Sequence, residues 1–198
     1  MEMTVTEAQH DLRQGYFSGA PGILASALAW SVATGVAAAV SPQRAIWALL
    51  IGGALIHPVG VLLCRLFGSA ATHTKGNPLG QLAGASTFWL IFSLPLAYAL
   101  GLQNPAWFFA AMLLIIGGRY CVFATLYGMR LYWALGLALA LAGFALAALS
   151  ASALAIVATG AAIELLFAAV AIFHHRKWVR SNNSFKPKPL RSGKGVAG

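Results

Sequence analysis

Apolar residues run along the chain in six long blocks, separated by short breaks of polar and turn-forming residues. The blocks cover 22–40, 45–66, 82–102, 106–128, 131–149 and 153–173. Each is close to the roughly 20 apolar residues that a helix needs to cross about 30 Å of hydrocarbon. The pattern predicts an all-α, polytopic membrane protein, a bundle of six transmembrane helices. The breaks carry turn chemistry: Ser41-Pro42-Gln43-Arg44, the longer 68–80 segment, Gln103-Asn104-Pro105, Met129-Arg130 and Ser150-Ala151-Ser152.

The two ends read differently from the blocks. In residues 1–21, Thr4-Val5-Thr6-Glu7 fits a capping box, which starts a short amphipathic helix ending near Gly15. That segment is expected to lie along the cytoplasmic face of the membrane. It holds Glu2, Glu7 and Asp11 ahead of its first base, Arg13, so it lacks the basic n-region of a secretory signal peptide and the first span is expected to be retained. Residues 174–198 open with His174-His175-Arg176-Lys177-Trp178 and grade into Ser, Asn, Lys, Pro and Gly. So little apolar content predicts a basic, disordered cytoplasmic tail.

Composition strengthens this picture. Of 198 residues, 60% are apolar and 9% charged, whereas a soluble domain carries about 25% charged residues. Thirteen Lys and Arg against four Asp and Glu give a net charge of +9. In the six-span arrangement Arg13, Arg65, Lys75, Arg130, Arg176, Lys177, Arg180, Lys186, Lys188, Arg191 and Lys194 fall on one side, and Arg44 alone on the other. Loops facing the cytoplasm are enriched in such bases, so both termini are expected in the cytoplasm, with the protein in a bacterial inner membrane. The partners expected are the lipid bilayer and, at the basic tail, anionic headgroups. Trp178 and Phe185 among the bases would also suit nucleic acid, but a juxtamembrane basic tail more commonly serves topology and lipid contact, and no nucleic acid is expected. The outer loops are too short for a folded outer domain, which leaves the bundle and its inner face to hold any chemistry.

Three ionisable residues lie deep in the spans: His57 in the second, Arg119 in the fourth and Glu164 in the sixth. Each costs about 2.5–3.5 kcal/mol in hydrocarbon on insertion scales, which calls for a partner or a function. At a rise of 1.5 Å per residue, Arg119 and Glu164 both sit roughly 15 Å above the inner boundary, and His57 about 12 Å. An Arg119–Glu164 ion pair with His57 nearby is thus allowed. His57 shares a helical stripe with Gly53, Gly60 and Cys64, and Glu164 with Gly160, Ala161 and Ala168; small neighbours suggest that both point into the bundle. Arg119 keeps bulkier company, with Met112, Ile115, Ile116 and Phe123.

Helix breakers accompany these residues: Pro58, Pro95, Gly52-Gly53 and Gly117-Gly118. Broken helices hold ligands in many transporters, yet Pro and Gly are also common in membrane helices that bind nothing. Ile51-Gly52-Gly53 with Arg65 recurs as Ile116-Gly117-Gly118 with Arg130 at the same spacing, which fits either a duplicated hairpin or chance. A single carboxylate in the spans and no nucleophile beside a His and an acid argue against an enzyme. His57 and Cys64 are too few to hold a metal, and no catalytic residue or cofactor is expected. Two function classes follow: a protein that binds or transports a small solute through the bundle, or a structural or assembly protein whose buried polar residues lock helix packing.

Several stretches together carry a resemblance: Gly15-Tyr16-Phe17-Ser18-Gly19-Ala20-Pro21-Gly22, Ile56-His57-Pro58, Lys75-Gly76-Asn77-Pro78-Leu79-Gly80, Gly117-Gly118-Arg119-Tyr120 and Phe123-Ala124-Thr125-Leu126-Tyr127-Gly128. Over about residues 5–150 the chain resembles a family of small bacterial multi-pass membrane proteins known as a domain of unknown function. The resemblance implies a membrane bundle and brings no catalytic assignment. The stretch from Asn182 onward is similar to tails found on unrelated bacterial proteins, which would make it a property of this gene rather than of the fold.

Overall fold

The computed structural model describes residues 3–184, which form seven helices and no strand. Helix α1 spans Val5–Gly15, α2 Ala20–Ala39, α3 Pro42–Leu66, α4 Pro78–Gln103, α5 Pro105–Tyr127, α6 Arg130–Ala148 and α7 Ala153–Ser184. The polar breaks act as caps. Ser41, Asn77 and Asn104 each accept a backbone N–H of the helix they precede, and each is followed by Pro at the first helical position. There the missing proline N–H costs nothing and its fixed φ suits the helix. Gly128, at φ 57°, ends α5 in the left-handed conformation that favours glycine.

Six of the helices, α2 to α7, are long and apolar enough to cross a membrane. Their outer wall suits that medium: Leu55, Leu62, Phe88, Trp89, Phe92, Leu96, Leu141, Phe144 and Leu166 all stand exposed on it. An apolar surface on that scale is tolerated in lipid, not in water. Inside, α3 packs on α2, α4 and α6 pack on α5, and α7 lies against α2, α5 and α6. Small residues set the spacing. A Cβ on Gly117 of α5 would meet the Gly136 carbonyl of α6 at 2.6 Å, and one on Gly52 of α3 would meet the Ala29 Cβ of α2 at 2.8 Å. One glycine of each recurring pair thus serves close approach, Gly52 to the preceding helix and Gly117 to the following one, while Gly53 and Gly118 face open space. Trp30, wholly buried, fills the middle of the bundle between α2, α5 and α7.

The ends of the chain differ from expectation. Helix α1 closes one end of the bundle, which we call the base, with Ala8 and Leu12 buried. The Arg13 side chain donates to the carbonyls of Tyr127 and Gly128, Gln9 donates to the Thr125 carbonyl, and Asp11 accepts from Thr74 and Asn77 in the α3–α4 connection. The 68–80 segment is thereby tied down rather than merely solvated. Helix α7 also continues past residue 173, so residues 174–184 of the expected tail are helical. The extension has something to dock on: His175 is buried against Phe17, its ring centroid 3.8 Å away, and Trp178 packs 4.9 Å from His10. Residues 185–198, the remainder of the expected disordered tail, lie outside the described residues.

Candidate functional site

Glu164 occupies the centre of the bundle. It lies on a buried strip of α7 with Gly160, Ala161, Ala168, Ala171 and His175 at spacings of three and four residues, and none of its surface is exposed. Neither carboxyl oxygen completes a hydrogen bond, although the hydroxyls of Ser26 on α2 and Tyr120 on α5 lie beside it. The indole nitrogen of Trp30, one turn along α2 from Ser26, is likewise buried without a partner. Buried charges are normally paired, so a wholly buried carboxyl with only hydroxyls beside it marks the position as exceptional.

The other two candidates do not join Glu164. Arg119 turns towards α4, where its Nη2 donates to the Thr87 hydroxyl at 2.9 Å and its guanidinium sits 5.0 Å from the Phe123 ring centroid. The pair with Glu164 that depth permits is therefore not formed. The reason is helical phase: Tyr120, the next residue and about 100° further round the helix, takes the inward position and stands beside the carboxyl. The bulky neighbours of Arg119 carry it to the side of the bundle. His57 is exposed on α3, against the expectation that its small neighbours would turn it inward. Cys64, two turns on, is buried at the base, near Tyr16 and Tyr127. At the level of His57 nothing comparable covers the same face.

A second polar cluster, at the base, was not singled out as a site from the sequence. The turn Phe17–Gly19 between α1 and α2 holds three successive residues at positive φ: Phe17 at 52°, Ser18 at 55° and Gly19 at 79°. Non-glycine residues pay for that conformation in steric strain, and it persists only where surroundings fix it. Here they do. The Tyr132 hydroxyl donates to the Ser18 carbonyl at 2.6 Å, and Ser18 Oγ is 2.8 Å from His175 Nδ1. Tyr132 in turn stacks between Tyr127 and Tyr120, at centroid distances of 5.3 and 6.1 Å. A column of polar side chains thus leads from Glu164 through Tyr120 and Tyr132 to Ser18 and His175 at the base. The stretches around Gly15–Gly22, Gly117–Tyr120 and Phe123–Gly128, which carry the family resemblance, supply Ser18 and Tyr120 of this column and the Tyr127 ring stacked on it, and that was the signal available in the sequence.

Outside the spans, α1 supplies the ionised groups. Burial alone would raise the Asp11 carboxyl, but hydrogen bonds from the Asn77 amide and from the Thr74 backbone and hydroxyl, helped by nearby His73, hold it below its usual range. Burial lowers Arg13 and raises Tyr16.

Fold and site together define a multi-pass helical protein with membrane-spanning helices and a buried carboxyl at its centre. The chain belongs to a family of unknown function, DUF7010, whose model matches residues 5–174. That match extends beyond residue 150 and takes in Glu164 and nearly all of the column. No curated protein and no solved structure matches the chain.

Proposed function

We propose that the protein is a binding or transport protein, not an enzyme, that handles a small solute in the bundle, with the Glu164 carboxyl taking up and releasing a cation. One observation carries the reading: Glu164 is wholly buried with no ion pair, and the groups beside its carboxyl are the neutral Ser26 and Tyr120 hydroxyls. An ionised carboxylate left so in hydrocarbon is costly, and a proton or a small cation is the chemistry that relieves it. The column down to Ser18 and His175 supports the base as the side of exchange. The gathering of bases at that end supports a bacterial inner membrane with both termini cytoplasmic, and anionic headgroups as the lipid partner of the base.

The test is thermal stability of the purified protein and of Glu164→Gln in detergent, across pH and a panel of alkali cations and small amines. The native chain is expected to gain stability with at least one cation or with pH, and Glu164→Gln to be flat across the same panel. Equal responses in both would sink the reading. The competing class, a structural protein, draws on the Arg119–Thr87 bond that ties α5 to α4. It expects a large loss of stability in Glu164→Gln and no response in either chain.

A further inference from the structure

Arg119 presents a problem that Glu164 does not solve. It lies about 12 Å up α5 from the helix end at Tyr127, in the hydrocarbon layer. Its contacts are with neutral groups, the Thr87 hydroxyl and the Phe123 ring, and its Nε is buried without a partner. Beside it a groove of about 380 Å3 opens on the outer wall between α4 and α5. Leu82, Ala85, Trp89 and Val122 form its apolar sides, and Ser86 and Arg119 are its polar residues. Ser86 donates to the Ala83 carbonyl, which leaves Arg119 as the only charge of the lining.

Among the described residues, the chain brings no acid to that charge. It has four carboxylate side chains. Of the three that are described, Glu164 is sealed in the bundle, Glu7 bonds to Thr4, and Asp11 bonds to Thr74 and Asn77. An arginine in hydrocarbon calls for an anion, and the anion must come from another molecule.

We propose that the α4–α5 groove binds the carboxylate head of a single-chain anionic amphiphile, a long-chain fatty acid that enters sideways from the bilayer. The guanidinium fork keeps donors beyond the one given to Thr87, and its planar geometry suits a carboxylate. The apolar sides of the groove accept the first part of an alkyl chain, and the opening faces the lipid where the rest of the chain lies. Depth selects the fatty acid over a phospholipid, because a phosphodiester head with its glycerol is anchored at the interface, while a fatty acid can reach this level protonated and, on pairing with the guanidinium, gives up its proton to water at the interface. The site stands apart from the cation site at Glu164.

The experiment uses the full chain in a non-ionic detergent and follows quenching of tryptophan fluorescence by a dibrominated stearic acid. Trp89 lines the groove and is the reporter, identified by comparison with Trp89→Phe. Saturable quenching by the acid is expected, absent in Trp89→Phe, with its methyl ester ineffective. Affinity is expected to fall about tenfold or more in Arg119→Gln, the scale of a lost charge-assisted hydrogen bond. Gly118→Leu guards against a folding defect in that variant: Gly118 lines the groove, nothing lies within 4 Å of an added Cβ, and the leucine fills the space without touching the charge. It too is expected to bind about tenfold more weakly or worse. Equal quenching by acid and ester, native affinity in Gly118→Leu, or stronger displacement by phosphatidylglycerol than by unbrominated stearate would each overturn the proposal.

Discussion

At the scale of single residues, the base of the bundle depends on Gly19. A Cβ there would run into the Tyr132 hydroxyl and meet the Tyr127 ring at 2.7 Å, and the residue already stands at φ 79°. Strain and overlap add, so Gly19→Ala is expected to cost about 1–3 kcal/mol and to lower the melting temperature by several degrees. Gly22→Ala is the control, because nothing lies within 4 Å of its added Cβ, and it should melt close to the native chain. Equal melting of both variants would mean that the turn relaxes freely. Residue placement was only partly legible in the sequence. Small neighbours correctly turn Glu164 inward, because α7 is covered on that face along its length. The same argument misplaced His57, since Cys64 shares its phase but not its depth, and periodicity says nothing about where a neighbouring helix stops covering a face. Tyr120 was hidden behind Arg119 for a related reason: depth is common to adjacent residues, while the direction of each side chain is not.

Among elements, α1 is the one whose role changes most between sequence and structure. Its start at the Thr4–Glu7 capping box and its end near Gly15 were readable, because caps are local. Its docking was not, since it rests on groups far away in the chain: the Thr125, Tyr127 and Gly128 carbonyls and the Thr74–Asn77 turn. The helical start of the tail escaped for the opposite reason. Composition over 174–198 as a whole hides that His175 has Phe17 and Ser18 to pack on and Trp178 has His10. The Asp11 tie gives the docking a pH signature. Asp11 is held below the usual carboxylate range in the folded protein, so its contribution is fully present above the unfolded value and is lost as pH falls through the folded one. Hydrogen exchange of the α1 amides should therefore accelerate only at the acidic edge of the carboxylate range. Asp11→Asn should show faster exchange already at neutral pH and a flatter acid response. Identical profiles for the two chains would mean that the Arg13 and Gln9 bonds suffice to hold α1.

On the scale of the whole molecule, hydrophobic block length was enough to count the crossings, because each helix must satisfy its own backbone in lipid and so announces itself as one uninterrupted run. Six crossings put the two ends of the chain on the same side, and the contacts agree: His10 packs on Trp178, and Ser18 meets His175. Which side that is depends on charge, not packing. Arg13, Arg65, Lys75, Arg130, Arg176, Lys177 and Arg180 all belong to the base, and Arg44 lies near the far end, so the base is expected to face the cytoplasm. Alkaline phosphatase, which folds only where disulfides form, reads this directly in a bacterial host. Fused after Lys194 it is expected to be inactive, and fused in the Gln103–Asn104 or Ser150–Ser152 turns it is expected to be active. The reverse pattern would place the base outside and expose α1, with its Asp11 and Arg13 ties, to the periplasm.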